Sequence, residues 1–156
     1  MALILTDTFN SDFKVREIIT ALKDVEFHRE RAKSKSLKKL ECDNSKHDQL
    51  IISRQIDFDI PVSAQKLVSN PISILEQWDF NLEESVEILL SITNIQTTVK
   101  AHLEFKEENS MTVVNVKSVV DSKIFLMSSF VEEFVSKYWK KTLTEDFAIL
   151  NKWIEA

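Results

Sequence analysis

Two charged residues interrupt otherwise apolar faces. Arg54 falls in the run Leu50, Ile52, Arg54, Ile56, Phe58, Ile60, and Glu76 falls in Ile72, Ile74, Glu76, Trp78, Phe80. Alternation of this kind is the period of a half-buried strand, so each charge points toward the face that its neighbours bury. With the two runs as antiparallel neighbours and their connection centred near residue 65, Arg54 and Glu76 fall roughly opposite each other. An ion pair there can orient a ligand's polar end, with Arg54 gripping a carboxylate or carbonyl and Glu76 serving as acceptor or general base. Two plainer readings stand beside this one. A bulge shifts one strand and leaves both groups on the solvated face, or the pair closes a buried network with no further use.

Other chemistry is sparse. Tyr138 can present its hydroxyl to an interior space, although an aromatic on an apolar stripe is more often core, and the same holds for Trp78. His28, His47 and His102 lie on separate elements with no carboxylate or cysteine at ligand spacing, so no metal site is expected. The single cysteine, Cys42, has no partner for a disulfide or a CxxC site and reads as an inert thiol. No catalytic motif such as GxSxG or HExxH is present, and catalytic residues stay unassigned. The chain has no glycine at all, where average usage predicts roughly eleven. The glycine loops that cradle phosphate need backbone without a side chain, so P-loop and dinucleotide sites are excluded and no cofactor is expected.

The elements that must position these residues follow from periodicity. Leu3, Leu5 and Phe9 share a face of an opening strand, with Asp7 breaking the pattern. Asn10 or Ser11 can cap a helix through Val15, Ile18, Ile19 and Leu22, and a second short helix runs through Val25, Phe27 and Arg31. A weak strand follows at Leu37–Asp43, where Leu37 is opposite in parity to Leu40 and Cys42. After the two strands bearing Arg54 and Glu76 come Val86, Ile88, Leu90, Ile92, then Val99, Ala101, Leu103, Phe105, then Val114, Val116, Val120. Asp43-Asn44-Ser45, Ser69-Asn70-Pro71 and Glu108-Asn109-Ser110 mark turns.

The chain closes on one amphipathic helix from Phe130 to Glu155 that holds six of its 14 aromatic residues. Ser129-x-x-Glu132 has the spacing of a capping box. At the standard rise the helix is about 39 Å long, enough to lie along a whole sheet. Its stripe drifts from Phe130, Phe134 and Tyr138 to Trp139, Phe147 and Ile154, so the first half is expected to line a pocket and the second to anchor the helix. A curved antiparallel sheet covered by this helix is a container.

The order of strand, two helices, antiparallel strands and long terminal helix is that of the START-related lipid-transfer and polyketide-cyclase superfamily. Phe9-Asn10-Ser11 through Val15 to Leu22-Lys23-Asp24-Val25-Glu26-Phe27 resembles that superfamily's opening stretch. Ala64-Gln65-Lys66-Leu67-Val68, Gln77-Trp78 and Lys123-Ile124-Phe125-Leu126-Met127 resemble a short bacterial branch of unknown function, although Phe125, Ser128 and Ser129 stand where that branch often has proline and a glycine pair. The resemblance implies an α+β helix-grip fold. In it, about seven curved antiparallel strands wrap around the terminal helix, two short helices follow the first strand, and residues 1–156 form a single domain with an apolar cavity. It carries no catalytic residue.

The expected pocket is Arg54, Ile56, Phe58, Glu76, Trp78, Ile88, Leu90, Val116, Phe134 and Tyr138. The expected occupant is a hydrophobic small molecule, lipid or polyketide-like, bound for carriage, storage or sensing. The alternatives are a cyclase, dehydratase or hydrolase using the same pocket, and an interaction module with a filled core. A net charge of -5 opposes nucleic-acid binding, which needs a concentrated basic surface. The basic cluster Arg29, Arg31, Lys33, Lys35, Lys38, Lys39 reads as a solvated helix end, with transient contact of Arg29, Arg31, Lys33 and Lys35 with an anionic membrane surface as the alternative. The apolar run before Thr6 is too short for a signal peptide or a membrane span, which makes the expected location cytoplasmic.

Overall fold

In the computed structural model the described residues are 2–33, 37–57, 60, 62, 65, 66, 69–80, 83–124 and 126–156, with the side chain of residue 38 outside the description. The strands are β1 (Leu3–Ser11), β2 (Leu37–Asp43), β3 (Gln49–Ile56), β4 (Ile72–Asp79), β5 (Ser85–Ile92), β6 (Thr97–Glu108) and β7 (Met111–Ser122). The helices are α1 (Val15–Lys23), α2 (Val25–Ala32) and α3 (Ser128–Glu155). This is the expected helix-grip architecture, with a seven-stranded antiparallel sheet ordered β1-β7-β6-β5-β4-β3-β2. Because β1 and β2 lie at opposite edges, the α1–α2 pair carries the chain from one edge to the other.

The alternation read in the sequence sets which side each residue takes. Leu50, Ile52, Arg54 and Ile56 of β3, and Ile72, Ile74, Glu76 and Trp78 of β4, are all buried on the inner face of the sheet, while their odd-numbered neighbours are not. In β2 the pairing shifts between Leu37 and Lys39, and this bulge resolves the parity break by letting Leu37 pack with Leu40 and Cys42 against the core. Phe58 lies outside the described residues, as do Ala64, Leu67, Val68 and Phe125. Without glycine, six of the described residues take left-handed backbone: Asp48, Glu84, Gln96, Asn109, Ser110 and Leu126. Asn109 and Ser110 (φ 52° and 68°) form the two-residue β6–β7 hairpin, whose strand twist demands positive φ at both central positions.

Two expected helix starts are built differently. Asn10 and Ser11 belong to β1, and α1 has no side-chain cap of its own. Instead Glu107 of β6 accepts from Val15 N at 3.2 Å, and Ser11 Oγ donates to Asn151 of α3 at 2.8 Å. For α2, Asp24 is the cap, accepting from Glu26 N at 2.9 Å. The capping box of α3 does not form, because the buried Glu132 carboxylate accepts instead from Ser122 N at the end of β7, at 2.9 Å.

The buried stripe of α3 runs through Val131, Val135, Trp139, Leu143, Phe147 and Leu150 as one continuous line. Phe130, Phe134 and Tyr138 flank it half-buried, so the helix does not split into a lining half and an anchoring half. Phe147 stacks on Phe9 at 4.5 Å between ring centres, and Trp153 meets Phe27 of α2 at 6.2 Å. Asp7, the break in the β1 pattern, faces Lys140 of α3 at 3.6 Å. Trp139 Nε1 donates to the buried Ser118 Oγ of β7 at 2.7 Å. The Ser118→Ala variant leaves that indole donor without its partner, and chemical denaturation is expected to show a loss of about 1–3 kcal/mol.

Candidate functional site

Arg54 and Glu76 are both on the concave face and both buried, 3% and 1% exposed. Arg54 faces Ile74 and Glu76 faces Ile52, so the two are diagonal neighbours rather than opposed. Their side chains bridge that offset, with Arg54 Nε 2.8 Å from Glu76 Oε2. The other carboxylate oxygen, Oε1, accepts from Arg31 Nη2 and from Trp78 Nε1, the latter at 2.9 Å. Arg31 extends the network further. Its Nη1 donates to Asp146 of α3 at 3.0 Å and its Nε to His28 Nδ1 at 3.0 Å, while His28 Nε2 bonds Leu22 O at 2.6 Å. One guanidinium thus ties α2, the sheet and α3 together.

This placement corrects the reading of Arg31 as part of a solvated, membrane-facing run. It lies one helical turn beyond Phe27, on the face of α2 that packs inward, and is 3% exposed. Arg29 and Lys33 are exposed and pair locally with Glu26 and Glu30, and Lys35 lies outside the described residues. The spacing Phe27–Arg31 was the available sign that Arg31 turns inward.

The protonation states follow from burial and charge. Burial alone would raise the Glu76 carboxyl, but Arg31, Arg54 and the Trp78 N–H outweigh it and hold the group well below the ordinary carboxylate range. Burial would likewise lower both arginines. Glu76 and Tyr138 reverse this for Arg54, and Glu76 and Asp146 for Arg31, so both are held above the ordinary value. His28 is pulled down to about 3, chiefly by burial and then by Arg31, so its ring is neutral. With Nδ1 accepting from Arg31, Nε2 carries the proton that bonds Leu22 O. The cluster is therefore two cations, two anions and a neutral imidazole.

Beside it lies a small void of about 20 Å³ for the centre of a water-sized sphere, lined by Arg31, Glu76, Trp78, Ile88, Trp139 and Asp146 among others. That is room for about one water. Of the expected pocket residues, Glu76, Trp78 and Ile88 line this void. Arg54, Ile56, Leu90 and Val116 are buried but do not line it, and Phe134 and Tyr138 stay on the flank of α3. Arg31, His28 and Asp146 are the members that sequence reasoning missed.

Elsewhere the chemistry is superficial. His102 sits on the outer face between Glu87 and Glu104, and its hydrogen bond to Glu87 is the main cause of its raised pKa. Burial pushes the Cys42 thiol up, away from a reactive thiolate. Among the described residues no helix is long and apolar enough to cross a membrane.

Sheet and covering helix together form the helix-grip fold. The chain belongs to a family described as a protein of unknown function, DUF2505, whose profile matches residues 6–154. Its fold is similar to that of the Zhui aromatase/cyclase from Streptomyces sp. R1128, at 8% identity and a TM-score of 0.74, with 99% of this chain and 94% of that one covered. It is also similar to truncated norcoclaurine synthase from Thalictrum flavum (10% identity, TM-score 0.71, 99% and 94% covered). A third similar structure is a START superfamily protein from Mycobacterium smegmatis (14% identity, TM-score 0.60, 97% of each chain covered). No curated protein matches in sequence.

Proposed function

We propose that this domain binds a hydrophobic small molecule, lipid or polyketide-like, between the concave sheet and α3, and so stores, carries or senses it. One observation carries the reading. Within the interior the Arg54 side chain is 1% exposed, yet its Nη1 and Nη2, which have the Tyr138 hydroxyl as their polar neighbour, make no well-formed hydrogen bond among the described residues. Each buried donor left unmade costs about 1–3 kcal/mol, so a core packed for stability alone has no reason to keep them. A ligand oxygen supplies what they lack. The aromatase/cyclase and START neighbours support the reading by sharing the fold.

A void of about 20 Å³ is far below the several hundred Å³ of an ordinary small-molecule site. Binding therefore requires the sheet and α3 to part, with desolvation of the ligand as the driving force. Glu76, clamped by two guanidiniums, is a weak base, which favours binding over the cyclase, dehydratase or hydrolase alternative.

Native mass spectrometry of freshly purified protein provides the test. The expected result is a noncovalent adduct that organic extraction removes and that the Arg54→Met variant, with an unchanged circular dichroism spectrum, does not carry. Bare wild-type protein that also fails to take up a neutral solvatochromic dye saturably would overturn the proposal and favour an interaction module with a filled core.

A further inference from the structure

The charges around Glu76 balance, but the hydrogen bonds do not. Arg31 and Arg54 meet Glu76 and Asp146, two against two, with His28 neutral. Arg54 nevertheless makes a well-formed hydrogen bond only through its Nε–H, and the donors of Nη1 and Nη2 stay buried with the neutral Tyr138 hydroxyl as their polar neighbour and no well-formed bond among the described residues. An incoming carboxylate satisfies the donors but leaves the interior with an uncompensated negative charge, in surroundings where that is expensive. A carbonyl oxygen satisfies the same donors and keeps the balance. A hydrocarbon keeps the balance and satisfies nothing.

We infer that the interior site selects an apolar molecule bearing a neutral carbonyl, held by Arg54 Nη1 and Nη2, and rejects the carboxylate of the same shape. This inference rests on the cavity-binding reading above and narrows it to a ligand class. Arg31 and Asp146 act here as positioning residues: Asp146 supplies the second negative charge that frees Arg54 from needing an anion.

Three ligands that share a benzene ring and differ little in size separate the cases: acetophenone, benzoate and ethylbenzene, titrated at neutral pH against the indole N–H resonance of Trp78, which reports on Glu76. Acetophenone is expected to bind at least tenfold more tightly than either of the others. In Arg54→Met its advantage over ethylbenzene shrinks to within twofold. In Asp146→Asn, where the cluster gains a net positive charge, benzoate improves relative to acetophenone by at least fivefold. This second variant keeps the test alive if the first does not fold. Wild-type protein that binds benzoate as tightly as acetophenone, or ethylbenzene within twofold of it, overturns the ligand class while leaving the cavity reading intact. Failure of all three to bind also overturns the ligand class, whereas the cavity reading falls only with bare protein that takes up no dye.

Discussion

Glu76→Gln is expected to lower the unfolding free energy by about 3–5 kcal/mol, the range seen when one partner of a buried ion pair is removed. The wild-type carboxylate answers two guanidiniums and an indole at once. The amide that replaces it has no charge to offset either arginine, and both are 3% exposed, so water cannot take over. A domain of this size has only about 5–15 kcal/mol in total, so the variant sits near the edge of folding. Urea denaturation should show a lower midpoint with an unchanged slope. A loss below about 1 kcal/mol would mean that the arginines find other partners or solvent. The quadruple variant Arg31→Met, Arg54→Met, Glu76→Leu, Asp146→Asn removes all four charges together and is expected to recover most of the loss, because uncharged groups of similar volume often match or exceed a buried ion network in stability. If it does, the cluster is not there for stability.

The sheet and its covering helix were legible because their information is periodic. Residues of β3, β4, β5 and β6 alternate cleanly, and period two fixes which side chains meet the helix whatever the exact register. The side on which Arg54 and Glu76 lie was therefore readable, while their diagonal rather than direct pairing depended on where the β3–β4 connection folds back. Arg31 was misread because its neighbours in sequence are basic and solvated, whereas its partners are 45 and 115 residues away, on β4 and α3. Glu132 shows the same effect on a smaller scale. Its spacing from Ser129 matched a capping box, yet the end of β7 offered Ser122 N inside the core and took the carboxylate. Cavity size was beyond reach for a different reason. Whether Trp78 and Trp139 line a space or fill it depends on a few ångströms of separation between sheet and helix, which no residue pattern encodes.

Lowering the pH from about 7.5 to 4.5 is expected to cost about 2–3 kcal/mol of stability through His28 alone, at roughly 1.4 kcal/mol per unit once below its unfolded value. In the folded chain His28 is neutral down to about 3, mainly because burial disfavours its cation. In the unfolded chain the ring titrates near its ordinary 6.5. Between those values the unfolded state binds the extra proton, so stability falls as pH falls, and the fall levels off below about 3. Glu76 acts in the same direction, since its folded pKa is depressed, but its contribution is lost only as pH drops below the ordinary carboxylate value. The exposed His102 has a raised pKa, so its small contribution is complete below 6.5 and is lost only above it. The interval from 6.5 to 4.5 therefore isolates His28 among these three groups. Urea midpoints across that interval should slope in the wild type and flatten in His28→Gln, which retains polar atoms for Arg31 and Leu22 but cannot titrate. A wild-type imidazole proton resonance that shifts with an apparent pKa near 6.5 would show that water reaches His28 and that the cluster is open.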